Sequence, residues 1–227
     1  MTRMQGMRAA CVVAAFGVVS ITVNLLHVPR VKAESESEGG DSRIRIGFAA
    51  APVPLKYSAR NKDMVGLGSY LVNVAGDCNG CHSAGPKTEY TRGGNPYFKQ
   101  PTQVNPATYL GGGRDFGPLI PGSAHIISRN LTPDASGLPE GGNTFDQFEQ
   151  IMRTGVDLDS LHPNCKGAPN ANCIPKPFEG SLLQIMPWPS LKSLSDHDLR
   201  AIYEYLKAVP CVQGNYPGEP ADRCTAK

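Results

Sequence analysis

The sequence lacks the motifs that identify most enzyme active sites. Gly111-Gly112-Gly113 is followed neither by a Lys-Ser/Thr pair nor by a Gly-x-Gly-x-x-Gly pattern, so it predicts a plain loop and not a phosphate site. Serine, histidine and carboxylate residues are present, but none falls in a recognisable nucleophile motif. Asp157 and Asp159 are typical of a turn rather than of a paired acid and base. We therefore expect no catalytic residues and a protein that is not an enzyme.

The sequence also lacks an excess of charge of either sign. The chain has 22 Lys and Arg residues against 20 Asp and Glu residues. Removal of residues 1–33, which resemble a signal peptide, would take away four basic residues and leave 18 basic against 20 acidic ones, a formal charge of −2. No basic stripe then remains to neutralise phosphates, so we expect no nucleic-acid partner.

Residues 1–33 have the three parts of an export signal. Arg3 and Arg8 give a basic start, residues 9–28 are mostly apolar, and Val31-Lys32-Ala33 resembles a small-residue cleavage site. An uncleaved anchor is the alternative, because residues 9–28 approach spanning length, but four polar residues weaken them as a membrane span. We expect a periplasmic protein that meets the membrane only if this segment remains uncleaved.

Cysteine usage fits an oxidising compartment. Of the seven cysteines, one lies in the export signal and two form the motif described below, which leaves an even number in an exported chain. Four cysteines allow three connectivities. We prefer Cys165 with Cys173 and Cys211 with Cys224, because each pair closes a short loop rich in Pro, Gly and Asn.

The most specific motif is Cys78-Asn79-Gly80-Cys81-His82. Two cysteines separated by two residues and followed by histidine are typical of c-type haem attachment, in which both thiols form thioethers and the histidine ligates iron. A zinc site would need a second Cys/His pair, a thioredoxin-like site would need a βαβ context, and a plain disulfide would leave His82 without a role. The motif predicts one covalently attached haem c, bound by Cys78 and Cys81, with His82 as an iron ligand.

The remainder divides into a tether and one domain. Residues 34–61 begin with acidic residues and glycines, and they predict a flexible tether with at most a short strand at 43–48. The domain covers residues 62–227. Within it, residues 83–143 hold 11 glycines and 8 prolines, which predicts a long loop region. Aromatic residues spread through that region indicate loops folded against an apolar surface, and residues 210–227 predict a disulfide-linked tail.

Apolar spacing and capping residues predict helices at 63–78, 144–154 and 195–209. The first helix leads into the Cys-x-x-Cys-His motif. Gly66 and Gly68 give it a flat surface, and we expect one or the other of them to lie against Ile202 and Tyr205 of the last helix.

These features resemble the single-haem class I cytochromes c: a helix leading into Cys-x-x-Cys-His, a later Met-Pro, and a C-terminal Asp-Leu-x-x-x-x-x-Tyr-Leu helix. The haem domains of cytochrome subunits of bacterial alcohol and gluconate dehydrogenases are closer still, through Asn130-Leu131-Thr132-Pro133-Asp134, the Phe148 helix, Met186-Pro187-Trp188 and Leu194-Ser195-Asp196. The resemblance covers about residues 63–209. It implies an all-α, cytochrome c-like helical domain whose long Gly/Pro-rich loops wrap around a covalently bound haem. It also implies one-electron transfer between redox proteins, with a periplasmic dehydrogenase as donor and an oxidase or another cytochrome as acceptor.

Met186 is the predicted second iron ligand. Of the three methionines left after signal removal, Met64 and Met152 fall on apolar faces of predicted helices, whereas Met186 lies in an irregular stretch. His125 and His162 are the alternative ligands, because imidazole is also a common haem ligand. Thioether sulfur favours reduced iron and suits an electron carrier. An open or labile distal side would instead indicate a haem sensor or a peroxidase-like enzyme.

Overall fold

Helices from both ends of the domain pack beside the Cys-x-x-Cys-His motif. The computed structural model describes residues 36–214 and 216–225, so the export signal predicted at 1–33 lies outside the described residues. The elements are, in chain order, α1 (Glu36–Ala50), α2 (Lys62–Tyr70), a π-helical turn (Leu71–Ala75), α3 (Cys78–Cys81), a 3₁₀ turn (Pro96–Phe98), β1 (Asp115–Pro118), β2 (His125–Ile127), α4 (Pro139–Gly142), α5 (Phe145–Thr154), α6 (Trp188–Leu191) and α7 (Asp196–Ala208). Within the described ranges, no helix is both long enough and apolar enough to cross a membrane.

A close crossing joins α2 to α7. A Cβ placed on Gly68 would overlap the backbone carbonyl of Ala201 and come within 2.7 Å of Tyr205 Cβ. Glycine is required here because no side chain fits between the two backbones. The predicted contact between Gly68 and Tyr205 is confirmed, whereas Gly66 faces α1 and not α7.

The segment before α2 contradicts the predicted tether. Residues 36–50 form α1, and a Cβ on Gly66 of α2 would meet the side chains of Ile44 and Phe48. The strand predicted at 43–48 is therefore wrong. Ile44, Ile46 and Phe48 alternate as in a strand, but Ile44 and Phe48 are also four residues apart, which is the spacing of one helix face. Packing against α2 decides between these two periods.

The helix predicted at 63–78 is interrupted before the cysteines. α2 ends at Tyr70, and the chain then widens into the π-helical turn, where the Gly76 N–H donates to the Leu71 carbonyl (2.9 Å). Asp77 takes the left-handed conformation, with φ of 43°, and α3 starts after it. Apolar spacing predicts the helix but not the point where it widens. Such π turns are frequent at functional sites.

The region 83–143 contains little regular structure, as predicted. β1 and β2 pair as a two-stranded antiparallel sheet, and turns and loops make up most of the remainder. Tyr109, Leu110 and Leu131 of this region are buried in the core with α2 and α7. The loops thus fold against the helices. The all-α, cytochrome c-like class stays a prediction.

The capping box predicted for α5 is confirmed. Thr144 accepts from the Gln147 N–H at its hydroxyl (3.4 Å), and the Thr144 N–H donates to Gln147 Oε1 (2.9 Å). Phe148, Ile151 and Met152 are buried. The capping box therefore fixes the start of a helix whose apolar face points into the core.

Both preferred disulfides are present. Cys165 pairs with Cys173 and Cys211 with Cys224, with Cα atoms 5.0 and 5.7 Å apart. The second disulfide lies in the tail, where the Val212 N–H donates to Thr132 Oγ1 (3.0 Å). The tail is therefore held against the body of the domain.

Gly68→Ala should lower the free energy of unfolding by about 1–3 kcal/mol through overpacking. Alanine is a better helix former than glycine by about 1 kcal/mol. A net loss of stability in Gly68→Ala would therefore show that the added side chain is crowded between α2 and α7. Gly66→Ala is the matched control. It gains the same helix propensity, but its Cβ would meet the side chains of Ile44 and Phe48, which can shift, and not a backbone. Urea unfolding measures both variants, and equal midpoints would contradict the close crossing.

Candidate metal centre

The Cys-x-x-Cys-His motif is folded around a single helical turn. Cys78 to Cys81 make up α3, and the His82 N–H donates to the Cys78 carbonyl (2.8 Å). Cys78, Cys81 and His82 all line one cavity. The three side chains that the sequence predicts to hold haem are thus brought together on one side of the turn.

Two loop contacts hold this turn through the residues between the cysteines. Asn79 Oδ1 accepts from the Leu110 N–H (2.9 Å). The Arg114 guanidinium donates to the Gly80 carbonyl. Asn79 and Gly80 therefore anchor the motif to the Gly/Pro-rich region, in addition to tolerating a tight turn.

One ring nitrogen of His82 is already bonded. Nδ1 lies 2.8 Å from the Arg129 carbonyl oxygen, and because a carbonyl can only accept, Nδ1 carries the proton. Nε2 keeps its lone pair, as in a metal-ligating histidine whose other nitrogen is held by a hydrogen bond. Burial lowers the pKa of His82, which favours the neutral imidazole. The ring is oriented and protonated as an iron ligand requires.

Gly112 allows the Arg129 carbonyl to approach His82. The Gly112 N–H donates to the His82 carbonyl (2.8 Å), and a Cβ on Gly112 would come within 2.5 Å of the Asn130 nitrogen. Its φ of 69° is left-handed as well. Conformation and space both require glycine. The triple glycine is a loop, as predicted, and its middle residue is the point where two chain segments meet behind His82.

The cavity beside the motif is mostly apolar. It has a volume of about 340 Å³, and its walls come from the π-helical turn, β2, α5, α6, α7 and residues 182–187. Leu71, Phe148, Ile202 and Leu206 are among its apolar side chains. Pockets of roughly 300–1,000 Å³ with apolar walls and few polar groups suit bulky, largely apolar ligands. These residues fit the haem that the motif predicts.

Met186 lies in the wall of the same cavity. Ile185, just before it, has φ of 69°, and a left-handed conformation costs a β-branched residue about 1–3 kcal/mol. A strained backbone conformation of this kind persists only where the surrounding structure holds it in place. Trp188 is not part of the cavity wall in the described residues; it packs on Gly155 and donates its Nε1–H to the Leu183 carbonyl (3.3 Å). Ligation by Met186 stays a prediction.

The two alternative histidines occupy different places. His125 has a side chain that is 55% exposed, and its Nδ1 lies 2.8 Å from the Asp115 carboxylate, away from the cavity wall. His162 lines the cavity, and its Nδ1 is buried without a hydrogen-bond partner among the described residues. Because Nδ1 is buried while the side chain lines the cavity, another part of the ring faces the cavity.

A charged cluster forms part of the cavity wall. The Arg129 guanidinium pairs with Asp157 and, at 2.8 Å, with Asp159. Asp157 Oδ1 also accepts from the Asp159 N–H (3.0 Å), which confirms the predicted turn. Burial raises the pKa of Glu140, another wall residue, to about 7, although Arg129 opposes the rise. The sequence did not indicate roles for Arg129 and Glu140; the one local signal is that Arg129 directly precedes the Asn130 to Asp134 motif.

The two thiols differ from those of a redox-active pair. Among the described cysteines, Cys78 and Cys81 are the ones outside a disulfide. Burial raises the pKa of Cys78 to about 12, and Asp77 and Cys81 add to the rise. Thioredoxin-like pairs have lowered thiol pKa values. The environment of Cys78 therefore argues against the thioredoxin-like alternative.

Comparison with known proteins supports a cytochrome c relationship. The gluconate 2-dehydrogenase cytochrome c subunit of Pantoea cypripedii is 29% identical over 160 residues, which cover 68% of this chain and 26% of that protein. The cytochrome c subunits of alcohol dehydrogenase (quinone) from Gluconacetobacter polyoxogenes and Komagataeibacter europaeus are each 25% identical over 172 residues, covering 72% of this chain and 27% of those proteins. The chain spans about a quarter of the length of these relatives. No protein-family model matches it.

Gly112→Ala should lower the free energy of unfolding by about 1–3 kcal/mol, because the left-handed φ and the overlap with the Arg129–Asn130 backbone both oppose a side chain. Gly122→Ala is the control, since Gly122 has φ of 81° but open space around its Cβ. Urea unfolding compares the two. Equal losses of unfolding free energy in Gly112→Ala and Gly122→Ala would mean that the close approach of the Arg129–Asn130 backbone adds nothing to the cost of a side chain at Gly112.

Proposed function

We propose that this chain is an exported cytochrome c that carries one covalently attached haem and transfers one electron at a time. Cys78 and Cys81 would form the thioethers, and His82 and Met186 would ligate the iron. One observation carries the proposal: these four side chains line one apolar cavity, although Met186 lies far along the chain from the motif.

The protein's own groups suit that task. Bound haem would supply the one-electron change between Fe(III) and Fe(II). His82 presents Nε2, because its Nδ1 is held by the Arg129 carbonyl. Met186 presents a thioether sulfur, which favours Fe(II) and raises the reduction potential. The apolar side chains of α5 and α7 line the cavity and would keep water away from a bound haem.

Fold and location follow the same proposal. Residues 62–227 would form an all-α, cytochrome c-like domain, with the loops of 83–143 wrapped around the haem. A signal peptide at 1–33 would deliver the chain to the periplasm. The two disulfides support that location, because disulfides persist in oxidising compartments.

The redox partners are proposed from the relatives. The matching proteins are named as cytochrome c subunits of gluconate and alcohol dehydrogenases. A periplasmic dehydrogenase would accordingly be the electron donor of this chain, and an oxidase or another cytochrome the acceptor.

Met186→Leu should abolish the near-infrared methionine–iron absorption of the oxidised holoprotein and lower its reduction potential, because a ligand that favours Fe(II) is lost. Met152→Leu is the matched control: Met152 lines the same cavity from α5, and its replacement should keep the absorption. A Met186→Leu protein that retains the absorption would remove Met186 from the iron and favour the haem sensor or peroxidase-like alternatives.

Replacing both Cys78 and Cys81 by Ala should leave haem held by ligation and packing alone. Acid-acetone extraction should then remove the haem, whereas the wild type should keep it. The double variant Cys165→Ala with Cys173→Ala removes the same number of sulfur atoms from a disulfide and should retain its haem. Haem that resists extraction from the Cys78/Cys81 variant would rule out attachment at these residues.

A further inference from the structure

Two aromatic side chains of the long loop region are exposed instead of packed on the core. The sequence predicts that the aromatic residues of 83–143 fold against an apolar surface, and Tyr109 is indeed buried. Tyr97 and Phe98, here called the aromatic pair, are 81% and 72% exposed. They belong to the 3₁₀ turn, whose start is fixed by Asn95 Oδ1 accepting from the Tyr97 N–H (2.9 Å). Neighbouring aromatic residues held in solvent are typical of protein–protein interfaces.

The aromatic pair lies close to the second cysteine of the haem motif. Tyr97 and Cys81 line a second cavity, of about 280 Å³, and Cys81 lines the haem cavity as well. Pro86 and Tyr90 also line the second cavity, so the segment that carries Tyr97 borders it at several points. A thioether at Cys81 would therefore link a bound haem to this surface. Because the rate of electron transfer falls steeply with distance, a redox partner has to dock close to such a link.

The same segment differs in charge from the rest of the chain. Residues 83–114 hold four basic residues and one acidic residue, whereas the other residues after 33 hold 14 basic and 19 acidic ones. Lys87, Arg92 and Lys99, here called the basic rim, are exposed, and none of them pairs with a carboxylate within the described ranges. The one acid, Glu89, is only 8% exposed. The surface that carries the aromatic pair is therefore basic.

We propose that the aromatic pair and the basic rim form the surface on which a redox-partner protein docks, with electrons crossing at Cys81. This inference rests on the function proposed above, because it requires a haem attached to that cysteine. The partner that fits is a protein whose docking face has an apolar centre and a rim of carboxylates. Aromatic residues at the centre of an interface supply much of its affinity, and charges at the rim steer the encounter.

An anionic membrane is the other class of partner that basic and aromatic residues suit. The second cavity favours a protein. Asp77 and Glu89 lie in its wall, and their carboxylates would repel phosphate headgroups. The apolar centre of a partner protein brings no charge to the cavity, and its side chains can fill it.

Ferricyanide tests where electrons leave the holoprotein. One electron passes from Fe(II) haem to ferricyanide, which leaves Fe(III) and ferrocyanide, and stopped-flow absorption gives the rate constant. If the basic rim governs the approach of this anion, the rate should fall as salt rises, although acidic residues outnumber basic ones after residue 33. We expect a fall of about threefold or more between roughly 0.01 M and 0.2 M salt.

Charge reversal locates the effect. Changing each residue of the basic rim to Glu should lower the ferricyanide rate roughly tenfold at about 0.1 M salt. The matched control makes the same change in net charge at exposed residues before and at the start of α2, namely Lys56→Glu, Arg60→Glu and Lys62→Glu. α2 alone spans roughly 14 Å, which exceeds the Debye length of about 10 Å at that salt. The control rate should therefore change less than about twofold.

The aromatic pair is tested by binding. The probe is the dehydrogenase that reduces the wild-type holoprotein, purified from the periplasm by that activity and used without its substrate, so that no electron is transferred. Tyr97→Ser with Phe98→Ser should raise the Kd measured by calorimetry about tenfold or more. The ferricyanide rate should stay unchanged, because a small anion needs no apolar contact. Tyr57→Ser is the control, since Tyr57 is 47% exposed but lies before α2, and it should keep the wild-type Kd.

Three results would overturn the proposal. A ferricyanide rate that rises with salt, or equal losses in the two charge-reversal variants, would mean that electrons cross elsewhere. An unchanged Kd in the aromatic-pair variant would mean that the partner docks elsewhere. Sedimentation of wild type with phosphatidylglycerol vesicles, lost in the aromatic-pair variant, would assign the surface to a membrane.

The proposed function is checked separately in the same proteins. The near-infrared methionine absorption and the acid-acetone extraction report on the haem itself, and every surface variant should match wild type in both. Wild type that fails these two measurements would contradict the proposed function. Wild type that passes them, with one of the three results above, would contradict the docking surface alone.

Discussion

The hydrogen bond from His82 Nδ1 to the Arg129 carbonyl is the contact on which the candidate centre depends. It fixes the tautomer and the plane of the ring and leaves Nε2 available. The bond forms only if residues 128–131 run close behind α3. Gly112 permits that approach, and the Leu131 N–H, which donates to the Leu110 carbonyl (2.8 Å), holds it.

The C-terminal tail supports the same segment from the other side. Asn130 Nδ2 donates to the Val212 carbonyl (2.9 Å), and the buried Arg223 guanidinium donates to the Asn130 carbonyl (3.4 Å). The disulfide between Cys211 and Cys224 closes this tail into a loop. The Asn130 motif thus joins the tail to the chain segment whose Arg129 carbonyl orients His82.

Two helices and a loop meet in a buried polar network beside the cysteines. The Tyr109 hydroxyl lies 2.5 Å from Asn73 Oδ1 and 2.7 Å from the Tyr205 hydroxyl. Asn73 is in the π-helical turn and Tyr205 in α7, so the network joins the Gly/Pro-rich loop to the α2–α7 pair. Satisfied polar groups in a core restrict it to one arrangement. The close approach of α7 at Gly68 is what brings Tyr205 into this network.

The sequence alone determined the features that depend on a few neighbouring residues. Three such features could be predicted because backbone geometry and loop closure act locally: the turn at the Cys-x-x-Cys-His motif, the Thr144 capping box and the two short-range disulfides. Tertiary structure decided the rest. It made α1 a helix through packing against Gly66, and it widened the chain before Cys78 into a π-helical turn. It also placed the Arg129 carbonyl on His82, because that contact joins residues 47 positions apart, and no local pattern records which distant segments will meet.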